Sequence, residues 1–350
     1  MRILPIRFLT TLLVAASVGH APAPVVVQQV SGTTSRLQAV SPVSDQVVWA
    51  SGTRGTYVVT TDGGEHWRAG VVPGADSLEF RDVAALDSAT AWLLAAGPGP
   101  ASRIYRTSDG GATWTRQFLN ADSAAFYDCF AFWDANRGIA VSDGVRGHFP
   151  ILVTDDGGAH WTLRPVNVSP AADSGEGAFA ASGTCIVTAA GGRAWIGTGA
   201  SPVGGARVVA TTDYGKTWTS ARTPIQHGTP TTGISTLAFR DTRVGFAAGG
   251  DITKPFPDSV HVARTDDGGR TWSAKSSPSF PGGIYGLAYI PGTDAGIVAV
   301  GPGGAAYSPD GGGSWASLDS ASYWSVGFAS GRAGWMVGPR GRIAKLTPGR

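Results

Sequence analysis

The chain has little sulfur: two cysteines and two methionines among 350 residues. That excludes the disulfide-dense scaffold of small secreted domains and any cysteine-rich zinc module. Charge is scarce too. Charged residues make up 15%, and 27 basic side chains nearly balance 25 acidic ones, so the basic face that a nucleic-acid partner asks for is not expected. No apolar run reaches the ~20 residues of a membrane-spanning helix, and no apolar stripe at helical spacing extends over a useful length. The six histidines form no His-Glu-x-x-His pair, and neither a Gly-x-Ser-x-Gly elbow nor a phosphate-binding glycine loop is present. No cofactor and no metal site is expected.

The first residues follow a different rule from the rest. Arg2 and Arg7 give a basic start, residues 8–18 are apolar, and Gly19 and Ala21 are small. This is the order of a signal peptide, expected over residues 1–21, with residues 22–350 as one exported domain, periplasmic or extracellular. No cysteine follows the cleavage region to carry a lipid. Without the leader's two arginines the charges balance at 25 and 25.

Glycine is abundant at 51 residues, and tryptophan at 12. Both are ordered by one repeat. Thr107-Ser108-Asp109-Gly110-Gly111-Ala112-Thr113-Trp114 recurs six times as Ser/Thr-x-Asp-x-Gly-x-x-Trp, with aspartates Asp62, Asp109, Asp156, Asp213, Asp267 and Asp310 and tryptophans Trp67, Trp114, Trp161, Trp218, Trp272 and Trp315. Successive aspartates lie 43 to 57 residues apart, the period of stacked supersecondary units. β-rich residues flank each copy, so strand, Asp-Gly cluster, strand reads as a hairpin. The carboxylate accepts N–H bonds within its own turn, glycine supplies positive φ, and the tryptophan is expected to be a buried anchor. Adjacent acids such as Asp155-Asp156 do not make the spaced ligand set of a calcium loop.

A second element recurs seven times, an apolar strand that closes on glycine or a small residue, as in Val47-Val48-Trp49-Ala50-Ser51-Gly52, Ala194-Trp195-Ile196-Gly197 and Gly334-Trp335-Met336-Val337-Gly338. Each follows another apolar strand. Four short strands per unit and seven units predict an all-β, seven-bladed propeller. The last unit lacks a box, while Val25-Val26-Val27-Gln28-Gln29-Val30 has no unit of its own. This strand is expected to pair with residues 342–346 and close the ring, which removes a pair of exposed sheet edges.

The repeat resembles the Asp-box, or BNR, repeat of sialidases, sortilin-type receptors and photosystem II stability/assembly factor-like proteins. The last group is the nearest, because its strand upstream of the box is matched by Asp134-Ala135-Asn136-Arg137-Gly138-Ile139-Ala140-Val141 and by Ser330 to Gly338. The resemblance covers nearly all of the chain after the leader. It is specific for fold and says little of function, since a fold hosts many activities; the likeness to assembly factors implies a scaffold that binds a protein or peptide rather than an enzyme. The alternative is a glycoside hydrolase of the Asp-box propeller type, acting on a glycan. The arginine cluster and tyrosine nucleophile of a sialidase cannot be assembled.

Function is expected where the repeat is interrupted: residues 142–150, residues 165–181, and the Pro- and Asp-rich residues 251–259. With the strand Tyr127-Asp128-Cys129-Phe130, the first two supply Asp128, Asp143, Arg146, His148, Asp173 and Glu176, with Phe130, Phe132 and Trp133 as apolar surface. In a catalytic site Glu176 is the candidate general acid, its pKa raised by Asp143; in a binding site the acids would engage a basic peptide. Cys129 and Cys185 sit at similar depth on neighbouring inner strands. Equal depth bars a disulfide, whereas a slip of one residue would face the thiols together. A monomer is expected.

Overall fold

The computed structural model describes residues 22–254 and 259–349. The expected signal peptide, residues 1–21, lies outside the described residues, as does the 255–258 part of the third interruption.

Seven four-stranded antiparallel sheets stand around one axis, with strands in sequence order within six of them. The first blade is Leu37–Pro42, Val48–Gly52, Thr56–Thr60 and Arg68–Val71, from axis to rim. Apolar residues make these strands because both faces of every blade pack against a neighbouring blade. Val48–Gly52 is buried at all five positions, and so are its counterparts Ala91–Ala95 and Ala333–Val337. The seventh blade is Ser325–Ser330, Ala333–Val337 and Arg342–Thr347, completed by Val25–Val30. Val25 lies opposite Thr347 and Val30 opposite Arg342. The ring is closed as expected.

The six repeat turns join the third and fourth strands of blades 1 to 6 on the lower rim. Asp109 shows their chemistry. Its Oδ1 accepts from Thr113 N–H at 2.9 Å and from the Thr107 hydroxyl at 2.8 Å, while Thr107 Oγ1 accepts from Gly111 N–H at 2.9 Å. The Thr113 hydroxyl, donating to Oδ2 at 2.5 Å, and then the two bonds to Oδ1 hold the Asp109 carboxyl down at about 2. Two consecutive left-handed residues, Gly110 and Gly111 at φ 73° and 87°, make the turn, and Tyr214 adopts φ 62° where the fourth copy lacks the first glycine.

The turn tryptophans correct one expectation. All six are only half-buried, because the turn sits at the outer rim. The fully buried tryptophans are Trp49, Trp92, Trp195 and Trp335, on the second strands. Trp92 donates its indole N–H to Gly157 O at 3.0 Å, and Trp195 donates to Gly268 O at 2.8 Å. Each acceptor lies in the turn of the next blade. The repeat turn therefore receives a neighbour's tryptophan as well as anchoring its own hairpin.

Candidate functional site

The upper face, opposite the turns, carries a cavity of about 600 Å³ on the ring axis. Its walls begin at the inner strands. Four of these carry a bulge near the start, between Leu37 and Ala39, Phe80 and Asp82, Tyr127 and Cys129, and Ile234 and Thr236. A bulge sets two residues against one and re-aims a side chain. The residues skipped by the pairing include Gln38, Arg81 and Asp128, and all three line the cavity.

The floor comes from the long connection between the third and fourth blades. Ser182 donates its hydroxyl to Tyr285 O on the sixth blade at 2.6 Å, and Ser182 O accepts from Ser325 Oγ on the seventh at 3.1 Å. A Cβ on Gly183 would lie 2.2 Å from Asp82 Oδ1 on the second blade, so only glycine allows this approach. Residues 182–184 thus reach across the axis, and the cavity is a blind socket. Cys185, directly after this plug, is bonded to Cys129 (S–S 1.97 Å, Cα–Cα 6.0 Å). The two inner strands do not keep equal depth. The bulge before Cys129 supplies the one-residue slip that faces the sulfurs together.

Within the socket, charge is segregated. Arg81 donates from Nε and Nη2 to Glu79 Oε2 at 3.0 and 2.8 Å, and Arg36 Nη2 reaches the same carboxylate at 3.3 and 3.4 Å. Arg36 also lies 4.8 Å from the Trp324 ring centroid, and Trp324 meets Tyr285 edge-on at 5.0 Å. The third blade faces them with Asp128 and Asp143. Asp128 is 2% exposed; its carboxyl is hydrogen-bonded with Asp143 and receives the Ala180 N–H, while no further protein donor reaches its Oδ2. Burial and then the neighbouring Asp143 push its carboxyl well above the usual range, against a smaller opposing pull from Arg81. Asp143 Oδ1 accepts from Ala178 N–H at 3.0 Å, and burial lifts Asp143 to about 6.

Of the six residues expected from sequence, the structure brings Asp128 and Asp143 together and disperses the rest. Glu176 lines the cavity, but its side chain is fully buried and turned onto Arg207, which donates from Nε at 2.7 Å and from Nη2 at 2.6 Å. Thr198 Oγ1 and Asp173 N–H complete its bonds at 2.6 and 2.8 Å. A carboxylate held by four donors is an anchor for the loop, which removes the reason to cast it as a proton donor. Asp173 is exposed beside it. Arg146 pairs with Asp122 at 2.9 Å on the outer hairpin, and His148 Nδ1 lies 3.1 Å from Arg146 O there. Neither lines the cavity. Phe130 is buried between blades, and Trp133 stands five residues, roughly 16 Å of strand, below Asp128. The apolar lining is instead Phe126, Phe179, Ile252, Tyr285 and Trp324.

Arg36, Gln38, Arg81, Tyr285 and Trp324 were missed by sequence reasoning. Aligning the units on their inner strands gives a signal. Leu37-Gln38, Phe80-Arg81, Tyr127-Asp128, Ile234-Ser235 and Trp324-Ser325 each place a polar residue after an apolar one at the same step. Among the described residues one set of three possible metal ligands clusters, Asp62, Glu65 and His66. It sits on an exposed repeat turn, where Asp62 Oδ1 already accepts from His66 N–H at 3.0 Å.

These features define a seven-bladed β-propeller with a blind axial cavity. No protein-family model matches the chain, and no curated protein does. Among solved structures it is similar to YCF48 bound to D1 peptide, at 17% identity and a TM-score of 0.66, over 94% of this chain and 98% of that one. YCF48 from Cyanidioschyzon merolae is similar at 19% identity and a TM-score of 0.67, over 92% and 99%. A GH74 xyloglucanase from Xanthomonas campestris is similar at 16% identity and a TM-score of 0.62, over 92% of this chain and 53% of that one. At these identities the likeness establishes the fold.

Proposed function

We propose that this protein is an exported, non-enzymatic scaffold that holds a peptide segment of a partner protein in its axial cavity. The observation that carries the reading is the socket itself. An apolar and aromatic lining with a few polar groups of both signs, in about 600 Å³, has the size and chemistry of a binding site. YCF48 with its D1 peptide supplies a propeller of the same fold with a peptide bound. The leader residues and the buried Cys129–Cys185 bond support export, since disulfides persist in oxidising compartments.

The hydrolase alternative requires two carboxyl groups roughly 5–9.5 Å apart with the scissile bond between them. Asp128 and Asp143 act on each other as immediate neighbours, and Glu176 is bound to Arg207. Neither arrangement suits that chemistry.

Selection of phage-displayed random octapeptides on the folded protein tests the reading, with Arg81→Ala and Asp128→Asn as counter-targets. Enriched peptides should bind wild type and lose at least about tenfold in affinity on either variant, about 1.4 kcal/mol. Equal binding to all three proteins would place recognition elsewhere.

A further inference from the structure

The bonds in the socket are closed unequally. On the cationic wall, Glu79 accepts from both arginines, twice from Arg81 and through Arg36 Nη2, while Arg36 Nε stays an unpaired donor. On the other walls the buried acceptors are open. Gln38, 1% exposed, leaves Oε1 without a partner, and Asp128, 2% exposed, leaves Oδ2 without one. Both residues line the cavity and both reach it from bulges. Buried polar atoms are nearly always bonded, so each exception asks for a reason. Gln38 Oε1 and Asp128 Oδ2 are acceptors that no protein N–H or hydroxyl fills, and they call for a ligand that donates.

We infer that the bound segment seats a primary ammonium, a lysine side chain or the segment's own N-terminus, against the Asp128–Asp143 pair, with Gln38 Oε1 accepting a second N–H. This rests on the peptide-binding reading above and specifies its partner chemistry. An ammonium fits better than a guanidinium because no two-oxygen fork is free. Asp143 Oδ1 is taken by Ala178 N–H, and the open acceptors enter from different blades. Guanidinium recognition favours both oxygens of one carboxylate, whereas an ammonium carries three donors on a flexible stem. Charge agrees. An acid pair that is costly to ionise alone becomes cheaper to ionise beside a cation, so near or below pH 6 seating the ammonium releases a proton from the pair to solvent.

The groups around the pair fix the sign of the pH dependence. Arg81 and Asp82 stand on the second blade, and Glu176 in the plug loop is turned away onto Arg207. Burial keeps Asp82 well above the usual carboxylate range, and Arg81 is shared with Glu79. Asp143, raised to about 6, is then the group that titrates in the accessible range. Affinity should fall as pH drops through 6.

The test uses the full-length folded protein and five octapeptide pools. Four are N-acetylated and C-amidated, with a fixed central Lys, Arg, Gln or Glu; the fifth lacks lysine and has a free N-terminus. Binding is read by fluorescence polarisation at pH 7.5 and 5.0. The Lys pool or the free-amine pool should bind at least tenfold more tightly than the Gln pool, and whichever does identifies the source of the ammonium. That preference should shrink to within twofold in Asp143→Asn and at pH 5.0. A Gln, Glu or Arg pool that binds as tightly as both amine pools overturns the inference, as does an amine preference that survives in Asp143→Asn. If no pool binds, the peptide reading fails with it; if pools bind without amine preference, only the inference fails. Asp128→Asn is measured in parallel with melting temperatures, and Asp143→Asn, at a less deeply buried site, carries the test if Asp128→Asn does not fold.

Discussion

The two faces of the ring use carboxylates in opposite ways. On the lower rim each repeat aspartate is partly or fully open to solvent, bonded within its own turn and held low, near 2 for Asp109, Asp156, Asp213 and Asp310. On the upper face Asp128 and Asp143 are withdrawn from water, and both are raised. On the rim the same carboxylate bonds repeat six times, although the Trp114, Trp161 and Trp218 indole N–H groups stay unpaired. The mouth is irregular, and it keeps acceptors open at Gln38 and Asp128. A fold spends its repeats on structure and its departures from the repeat on recognition, and the comparison makes the two separately breakable.

Ring closure should give the largest effect. Deleting residues 22–31 removes six paired positions and the Gln29 Oε1 acceptor shared by the Trp67 and Trp335 indoles. A cost of about 3–6 kcal/mol is expected, at ~0.5–1 kcal/mol per lost rung, measured by urea unfolding. Next is the tie that holds the plug. The Cys129–Cys185 bond spans 56 residues, and the double substitution to Ala should cost about 4 kcal/mol by loop entropy. Hydrogen exchange should rise across residues 178–185 while the rim turns stay protected. Equal loss at the rim would break the separation of the two faces.

Among the tryptophans, Trp92→Ala should cost about 3–5 kcal/mol, because it empties a fully buried site and strips the donor from Gly157 O. Trp114→Ala, at a half-buried site, should cost about half as much. If the order were reversed, the turn tryptophan would be the anchor after all.

The smallest effects have opposite signs. Asp109→Ala should lower the melting temperature at pH 7, because its folded pKa is depressed. The stabilisation it gives is present above the unfolded value and fades as pH falls toward 2. Asp143→Asn should raise stability at pH 7 by about 1–2 kcal/mol, since a raised acid opposes folding once ionised. That penalty is full above about 6 and relieved as pH falls toward the unfolded value near 4. The variant's advantage should vanish by about pH 4. Melting curves from pH 4 to 8 measure both.

The ring was legible in the sequence because its cause is local and repeated. Seven small-residue strand ends and an orphan N-terminal strand give the blade count and the closure. The site was only half legible because its causes are not local. Asp128 and Asp143 could be marked as acids near an interruption. That Glu176 belongs to Arg207 depends on a loop that folds back over 31 positions. That Arg36 and Arg81 face the axis depends on bulges and a shared Glu79. The cysteine pairing turned on one such bulge, a single unpaired residue that moves every neighbour to the other face.

Site-specific photocrosslinking tests the central claim most directly. A benzoylphenylalanine replaces Phe126 at the mouth in one protein and Trp315 at the rim in another, and each is irradiated with an octapeptide enriched on wild type. The account predicts a crosslinked adduct at position 126 and none at position 315. An adduct at 315, with none at 126, would contradict it.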